Sequence, residues 1–334
     1  MTAIDRFQAI FGWLLFLMLF SACSQDEFVQ RQNYGRAQGS TYQVSYISTP
    51  GIDHQSSIDS LFLAVDMSLS AWEPNSSISK LNRGDTLFQK DERLWAVMDS
   101  AFLLWKESKG FFDISMGAVI HCWGFHRKTN AVPTDSALAQ AMASSGWDKV
   151  HRKKDSLWLS EGAQLDVNGI AQGYTVDLIA QLLESRGVRH YMVEVGGELR
   201  CKGRNIDDKV WRIGIDKPTD EQLEDRLQRV LPLKDRALAT SGNYRKFIED
   251  PTTGRRHGHS IDPNTGRSTN DRLLSATVIA ASATKADAWG TALMACGFKG
   301  AREWVQEQPG LEAYLIYTDK KGEWAEWFSP GFPR

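Results

Sequence analysis

A carboxylate and a hydroxyl stand four residues apart in Ala286-Asp287-Ala288-Trp289-Gly290-Thr291. On a helix, side chains at i and i+4 are neighbours on one face. Two hard oxygens so placed can supply part of the coordination sphere of Mg²⁺ and leave positions for phosphate oxygens and water. From this pair alone, a surface carboxylate beside a threonine bonded to its own helix backbone reads just as simply. Upstream lies His259-Ser260-Ile261-Asp262-Pro263-Asn264-Thr265-Gly266, a polar turn with an imidazole able to move a proton near neutral pH. An acid/base group and a hard-cation site together are what chemistry on a phosphate ester or anhydride requires.

Three glycine-rich segments could bring backbone close to a ligand. Leu165-Asp166-Val167-Asn168-Gly169-Ile170-Ala171-Gln172-Gly173-Tyr174 reads as a helix entry whose glycines would expose free amides, with Asp166 placed to bond a sugar or base. An ordinary strand-to-helix turn explains it as well, and G-x-x-x-G is not the dinucleotide fingerprint. Ala239-Thr240-Ser241-Gly242-Asn243-Tyr244 offers small hydroxyls for a phosphate or ribityl contact, or simply a loop. Val195-Gly196-Gly197-Glu198 reads as a tight turn or bulge between strands.

The elements that must position these residues are mixed. Ile58, Leu61, Phe62, Val65 and Leu69 recur at helical spacing, as do Leu94, Val97, Met98, Ala101 and Leu104. Ile170, Tyr174, Leu178 and Leu182 form an i+4 row stopped by Gly187. Ser282 caps a helix expected to run to Cys296, with Gly297 as its terminator. Strands are expected at 41–47, 157–159, 191–195, 199–202, 211–215, 275–281, 311–318 and 323–328. Without regular βα alternation, the fold class is α+β rather than doubly wound. Asp250-Pro251-Thr252-Thr253-Gly254-Arg255 and Asp262-Pro263-Asn264-Thr265-Gly266-Arg267 echo one another as turn chemistry, which alone does not make a structural repeat.

Composition narrows the class. The chain has 334 residues, 42% hydrophobic and 24% charged, with 12 tryptophans that imply a large core or aromatic ligand surfaces. A net charge of −2 with no basic run gives no case for nucleic acid as a partner. Cys122, Cys201 and Cys296 are far apart and form no C-x-x-C pair, so buried thiols are expected rather than disulfides or zinc. The apolar run Ile10–Phe20, broken only by Gly12, follows Arg6 and leads to Leu19-Phe20-Ser21-Ala22-Cys23. That length suits a signal-peptide core better than a membrane span. It marks residues 1–22 as a signal peptide and Cys23 as a lipidated first residue; a signal anchor or ordinary cleavage after Ala22 is the plainer alternative. Residues 23–36 then form a lipidated tether and 37–334 the domain. The chain would be exported and lipid-anchored to a bacterial membrane, on the periplasmic side or at the cell surface.

The motifs also keep an order. Ser68–Asn82 with Trp72, Gly110–Ser115, Trp123-Gly124-Phe125, Asp166–Asp177, Gly196-Gly197-Glu198, Thr240–Tyr244, His259–Gly266 and Ala286–Thr291 follow one another. This succession resembles the ApbE family, the FAD:protein FMN transferases, over residues 35–330. The resemblance implies mixed, largely antiparallel sheets with packed helices in a T-fold-like architecture. It implies Mg²⁺ and FAD, with FMN transferred to a threonine or serine hydroxyl of an exported or membrane redox protein and AMP released. By the same resemblance Asp287 and Thr291 hold the metal through side chains and Gly169 through its carbonyl. Trp72, Phe112, Asp113, Asp166, Gln172 and Ile261 fall in FAD-contacting motifs, and Gln38 stands where the family often has Met. Ser241 and Gly242 fall by the phosphates, and His259 is the acid/base candidate, catalytic together with Asp287. Gln172 replaces a residue often charged in the family, and Gly290 stands where an acidic group can occur. A Mg²⁺-dependent FAD pyrophosphatase and a non-catalytic flavin-binding lipoprotein are the competing readings of the same site.

Overall fold

The computed structural model describes residues 28–125, 132–219, 226–243, 247–250, 253–269 and 271–334. The signal segment and Cys23 lie outside the described residues. Eight strands make the main sheet, each antiparallel to the next in chain order: β1 (Val29–Ala37), β2 (Ser40–Ser48), β3 (Tyr191–Val195), β4 (Glu198–Lys202), β5 (Ala237–Gly242), β6 (Leu273–Ala280), β7 (Glu312–Thr318) and β8 (Trp324–Phe328). The helices are α1 (Gln55–Leu69), α2 (Ser77–Asn82), α3 (Glu92–Glu107), α4 (Gly117–Trp123), α5 (Asp135–Ala143), α6 (Ala171–Ser185) and α7 (Ala283–Glu307). The fold is therefore mixed α+β, with antiparallel sheets and packed helices.

The sheet has two halves of one plan. In the first, hairpin β1–β2 is followed, after α1 to α5, by α6 and hairpin β3–β4; in the second, β5–β6 is followed by α7 and β7–β8. The halves join where β4 pairs β5 through Leu199 and Arg200. Alternation along β5 shows how the faces divide. Ala237 and Ala239 turn toward the helices, whereas Leu238 packs with Ile279, Tyr314 and the hairpin 211–216/227–233 on the opposite face. Small alanines on the helix side let α6 and α7 lie close to the sheet and to each other. β6 is buried on both faces, as a covered central strand must be, although one face carries Ser275 and Thr277. Helix α3 starts where Asp91 accepts from the amides of Arg93 and Leu94, and its row Leu94, Val97, Met98, Ala101 and Leu104 is buried as its spacing requires.

Two expectations change and one holds. The expected tether overruns the fold, because β1 begins at Val29 and pairs with β2 along its whole length. Its inward positions include Asn33, which is buried and donates to Asp53, and Gly35, over which the Tyr42 ring lies. Polar and glycine residues facing inward hide the alternation by which a strand is read. Gly297 does break the helix, with φ 73° and ψ 174°, but a second helical segment follows at once. Asp271 restarts it by accepting from the Phe298 amide at 2.7 Å. The turn chemistry expected of the two Asp-Pro-x-Thr-Gly-Arg segments is present at their described residues. In each, the glycine amide donates to the Asp carbonyl at 2.8 Å, the Asp amide donates to the Arg carbonyl at 2.9 Å, and the glycine has φ near 66°.

Candidate functional site

Helices α6 and α7 meet at their N-terminal ends. A Cβ on Gly173 would stand 2.4 Å from the Ala283 carbonyl oxygen and 2.8 Å from Asp287 Cβ; one on Gly169 would stand 2.7 Å from Thr291 Oγ1. No side chain fits at either place, so glycine alone lets the α6 entry rest on the α7 face that carries Asp287 and Thr291. The Gly173 amide donates to Asp287 Oδ2 at 3.0 Å. The amide expected to be open to a ligand is thus already taken, and Gly173 serves the approach of one helix to the other.

Asp177, whose role the sequence reading missed, fastens this junction. It is buried on α6 and accepts from the amides of Ala283 and Thr284 at 3.1 and 2.9 Å and from the Thr284 hydroxyl at 2.6 Å. Arg200 of β4 donates to it at 3.0 Å. Ser282 takes the Lys285 amide. The first amides of α7 are therefore satisfied within the protein, and that helix start is not an anion site. An Asp one turn and a half into a helix carries no sequence signal for this work; only its partners reveal it.

Asp287 is 5% exposed, and burial pushes its carboxyl up to about 7, partly opposed by the Gly173 amide. A desolvated carboxylate with one amide bond is a place where a cation gains most. Among the described residues no group of three or more His, Cys, Asp or Glu gathers. Any cation here would draw its negative protein charge from Asp287. Asp287 carboxylate, Thr291 hydroxyl and Gly169 carbonyl are all hard oxygens, the donor type that suits Mg²⁺. Ser241 adjoins them: a Cβ on Gly290 would stand 2.7 Å from Ser241 Oγ. That contact explains Gly290, since any side chain there would collide with β5.

The remaining expected residues lie on several elements. Gln172 reaches the Gly196-Gly197 turn, where a Cβ on Gly196 would meet its Nε2 at 2.5 Å. Gln38 sits at φ 51° in the β1–β2 turn and donates to Thr175 of α6 at 2.9 Å. Asp113 and Asp166 are neighbours through backbone, since the Asp166 amide donates to the Ile114 carbonyl at 2.8 Å. Asp113 accepts from the Ser115 amide and hydroxyl, and burial holds its carboxyl above the usual range. Asp166 accepts from the Asn168 amide at 2.8 Å, which shapes the turn leading to Gly169. Asn82 pins the same stretch by exchanging two bonds with the Leu165 backbone, at 2.9 and 2.8 Å. Trp72 stands in the loop between α1 and α2 with its ring 71% exposed. Phe112 is only 3% exposed and packs in the main core, and Ile261 is buried with Met116, Trp123 and Ile248, so neither ring nor alkyl chain is an open surface. His259 is half-buried in the turn after the strand Arg256–Gly258, and Gly242 ends β5 beside Ser241.

An antiparallel α+β scaffold brings a buried carboxylate and a hydroxyl of one helix against the glycines at the entry of another, and the comparisons with known proteins show which class of enzyme carries it. Residues 38–315 match the ApbE family, and the chain belongs to that family. A Vibrio cholerae protein named FAD:protein FMN transferase is 35% identical over 300 residues, covering 86% of this chain and 88% of its own length. A Haemophilus influenzae protein of the same name is 33% identical over 317 residues, covering 90% of each. Among solved structures, the flavin transferase ApbE of Vibrio cholerae superposes with a TM-score of 0.80 at 32% identity, covering 91% of this chain and 98% of that one. The apo flavinyl transferase ApbE of Pseudomonas stutzeri gives a TM-score of 0.81 at 27% identity, covering 92% and 97%.

Proposed function

We propose that the chain transfers the FMN moiety of FAD, with Mg²⁺, to a threonine or serine hydroxyl of an exported or membrane redox protein and releases AMP. The observation that carries this reading is the buried Asp287 and its helix neighbour Thr291 packed against Gly173 and Gly169 at the α6–α7 junction, in a chain whose relatives bear the name FAD:protein FMN transferase. Asp287 would hold the metal by its full charge, Thr291 by its hydroxyl and Gly169 by its carbonyl. When bound, Mg²⁺ supplies charge neutralisation and alignment of the pyrophosphate. His259 takes the proton of the acceptor hydroxyl as its oxygen forms a bond to the FMN phosphorus. The anhydride P–O bond breaks, and AMP leaves with the electron pair. Ser241 and Gly242 face the phosphates, Gln38, Gln172, Asp113 and Asp166 bind the rest of FAD, and Trp72 offers an exposed ring on which a planar group can stack. Phe112 and Ile261 support these contacts from the core side.

The test is incubation with FAD, Mg²⁺ and candidate exported proteins. An acceptor that gains the mass of one FMN, with AMP in equal amount, supports transfer. Free FMN with AMP and no labelled protein would make the chain a pyrophosphatase instead.

Residues 1–22 serve as the signal peptide in this reading, and lipid on Cys23 anchors the domain to the membrane through a tether that ends at residue 28, where the fold begins. No described helix is long and apolar enough to cross a membrane. Labelling with a radioactive fatty acid, wild type against Cys23→Ala, checks the anchor. Equal label in both proteins would remove it.

A further inference from the structure

One side chain meets the turn that carries His259 on both sides of the histidine. Asn243 follows Ser241-Gly242 at the end of β5, where its amide donates to the Leu274 carbonyl of β6 at 3.2 Å. Its side-chain oxygen Oδ1 accepts from the Ser260 amide at 3.1 Å and from the Ser260 hydroxyl at 2.7 Å. On the other side of the histidine, a Cβ on Gly258 would stand 2.6 Å from Asn243 Cγ. The residues before and after His259 therefore both lie on the same carboxamide. Ser268 donates to the Gly258 carbonyl at 2.6 Å and Thr269 to the Ser260 carbonyl at 2.8 Å, which closes the turn from outside. Two residues before Asn243, Ser241 lies against Gly290 of α7. A short run of fixed contacts thus leads from the helix of Asp287 and Thr291, through the end of β5, to the backbone of His259.

We propose that Asn243 is the positioning residue for His259, setting the imidazole relative to the Asp287–Thr291 face of α7. This rests on the reading of His259 as the proton acceptor. The carboxamide needs no contact with substrate. It supplies a neutral acceptor that bonds an amide and a hydroxyl at once, and a flat surface against which only glycine fits at 258. Misplacing a catalytic group by about 1 Å is enough to cost on the order of 10²-fold in rate.

The experiment measures single-turnover transfer from FAD in excess Mg²⁺, with an exported protein that gains one FMN from the wild type as acceptor. The variants are Asn243→Ala, Asn243→Asp, Ser260→Ala, His259→Ala and the double variant Asn243→Ala/His259→Ala. Asn243→Ala is expected to lower kcat by about 10- to 100-fold with KM for FAD within about twofold. Asn243→Asp, which keeps the acceptor oxygen, should restore most of the rate, and Ser260→Ala should fall between. The double variant should be no slower than His259→Ala, because a misplaced base and an absent base are the same loss. Ser260→Ala leaves the β5 end intact, so it keeps the test sharp if Asn243→Ala does not fold. Full rate in Asn243→Ala or in Ser260→Ala beside a slow His259→Ala overturns the positioning role alone. So do losses that multiply in the double variant. Full rate in His259→Ala overturns the proton-acceptor reading itself, and this inference with it.

Discussion

The α6–α7 junction and the His259 turn are held by different physics. At the junction, glycines allow close packing: Gly173 lies against the Ala283 carbonyl, Gly169 against the Thr291 side chain, and the Asp177 carboxylate ties both helices through buried bonds. At the turn, one half-buried segment is held by side-chain hydrogen bonds to Asn243 and Ser268. Close packing transmits any added volume to the whole core, whereas a hydrogen-bonded turn can shift locally. The junction should therefore report damage as lost stability, and the turn as lost rate. A buried carboxylate must not move or gain water if it is to bind a cation; a proton acceptor must reach a second protein.

The largest expected effect breaks the junction outright. Gly173→Val places branched carbon where even a Cβ would lie 2.4 Å from a carbonyl oxygen. Overpacking of that kind costs about 3 kcal/mol or more, so the variant should melt far below wild type or fail to fold. Wild-type melting of this variant would show that the helices are not in contact there. Asp177→Ala should come next, since it strips two amides and Arg200 of a buried acceptor. The expected loss is about 3 kcal/mol by thermal or urea unfolding.

Asp287 sharpens the comparison because it joins both properties. Asp287→Asn keeps an acceptor for the Gly173 amide and removes the charge. Transfer should fall by about 10²-fold or more, since metal-assisted charge stabilisation is worth several kcal/mol. Thr291→Ala, which removes only a dipole, should lose less and recover in excess Mg²⁺. Stability of the metal-free protein should move the other way. Burial raises the folded pKa of Asp287 to about 7, above the roughly 3.9 of an unfolded carboxyl. The folded state therefore binds the proton more tightly, and wild-type stability falls as pH rises from about 4 to about 7 and is level beyond. In EDTA, Asp287→Asn should be more stable than wild type at pH 8, with the gap closing near pH 4 to 5. By the same competition, Mg²⁺ should bind wild type more tightly as pH rises through about 7. A pH-independent gap between the two proteins would mean that Asp287 titrates normally and is not desolvated.

How much of this was legible in the sequence follows the same division. The i+4 pair Asp287 and Thr291 could be read because it lies within one helix, where spacing fixes which residues share a face, and Gly169 and Gly173 because they mark the entry of another. What joins them could not. Asp177 looks like any mid-helix acid until Ala283 and Thr284 are seen above it, more than a hundred residues away in the chain. Asn243 and Gly258 are likewise a long-range pair. Strand β1 was hidden by its polar inward face, and the burial of Phe112 and Ile261, singled out by motif, is seen only in the fold. Ordered motifs carry the fold and the family; side-chain partners across elements need coordinates.

The smallest effect on the fold should come from Trp72, and it probes the loop side of the comparison. The ring is 71% exposed between α1 and α2, so its removal leaves no cavity and frees no buried polar group. Trp72→Ala should therefore melt within about a degree of wild type, as surface substitutions commonly do. At that exposure the tryptophan leaves much of its hydrophobic area in water, and a flat ligand can cover it. Aromatic stacking is worth about 0.5–1.5 kcal/mol beyond burial, so KM for FAD should rise by up to about tenfold. Trp72→Phe should recover part of the affinity, because the stacked face shrinks but remains. If the ring serves ground-state binding alone, kcat should hold in both variants, in contrast to the kcat loss expected at Asn243. Unchanged KM in Trp72→Ala would take the ring out of the site, whereas a fall in kcat with steady KM would mean that the α1–α2 loop belongs with the positioning contacts around His259.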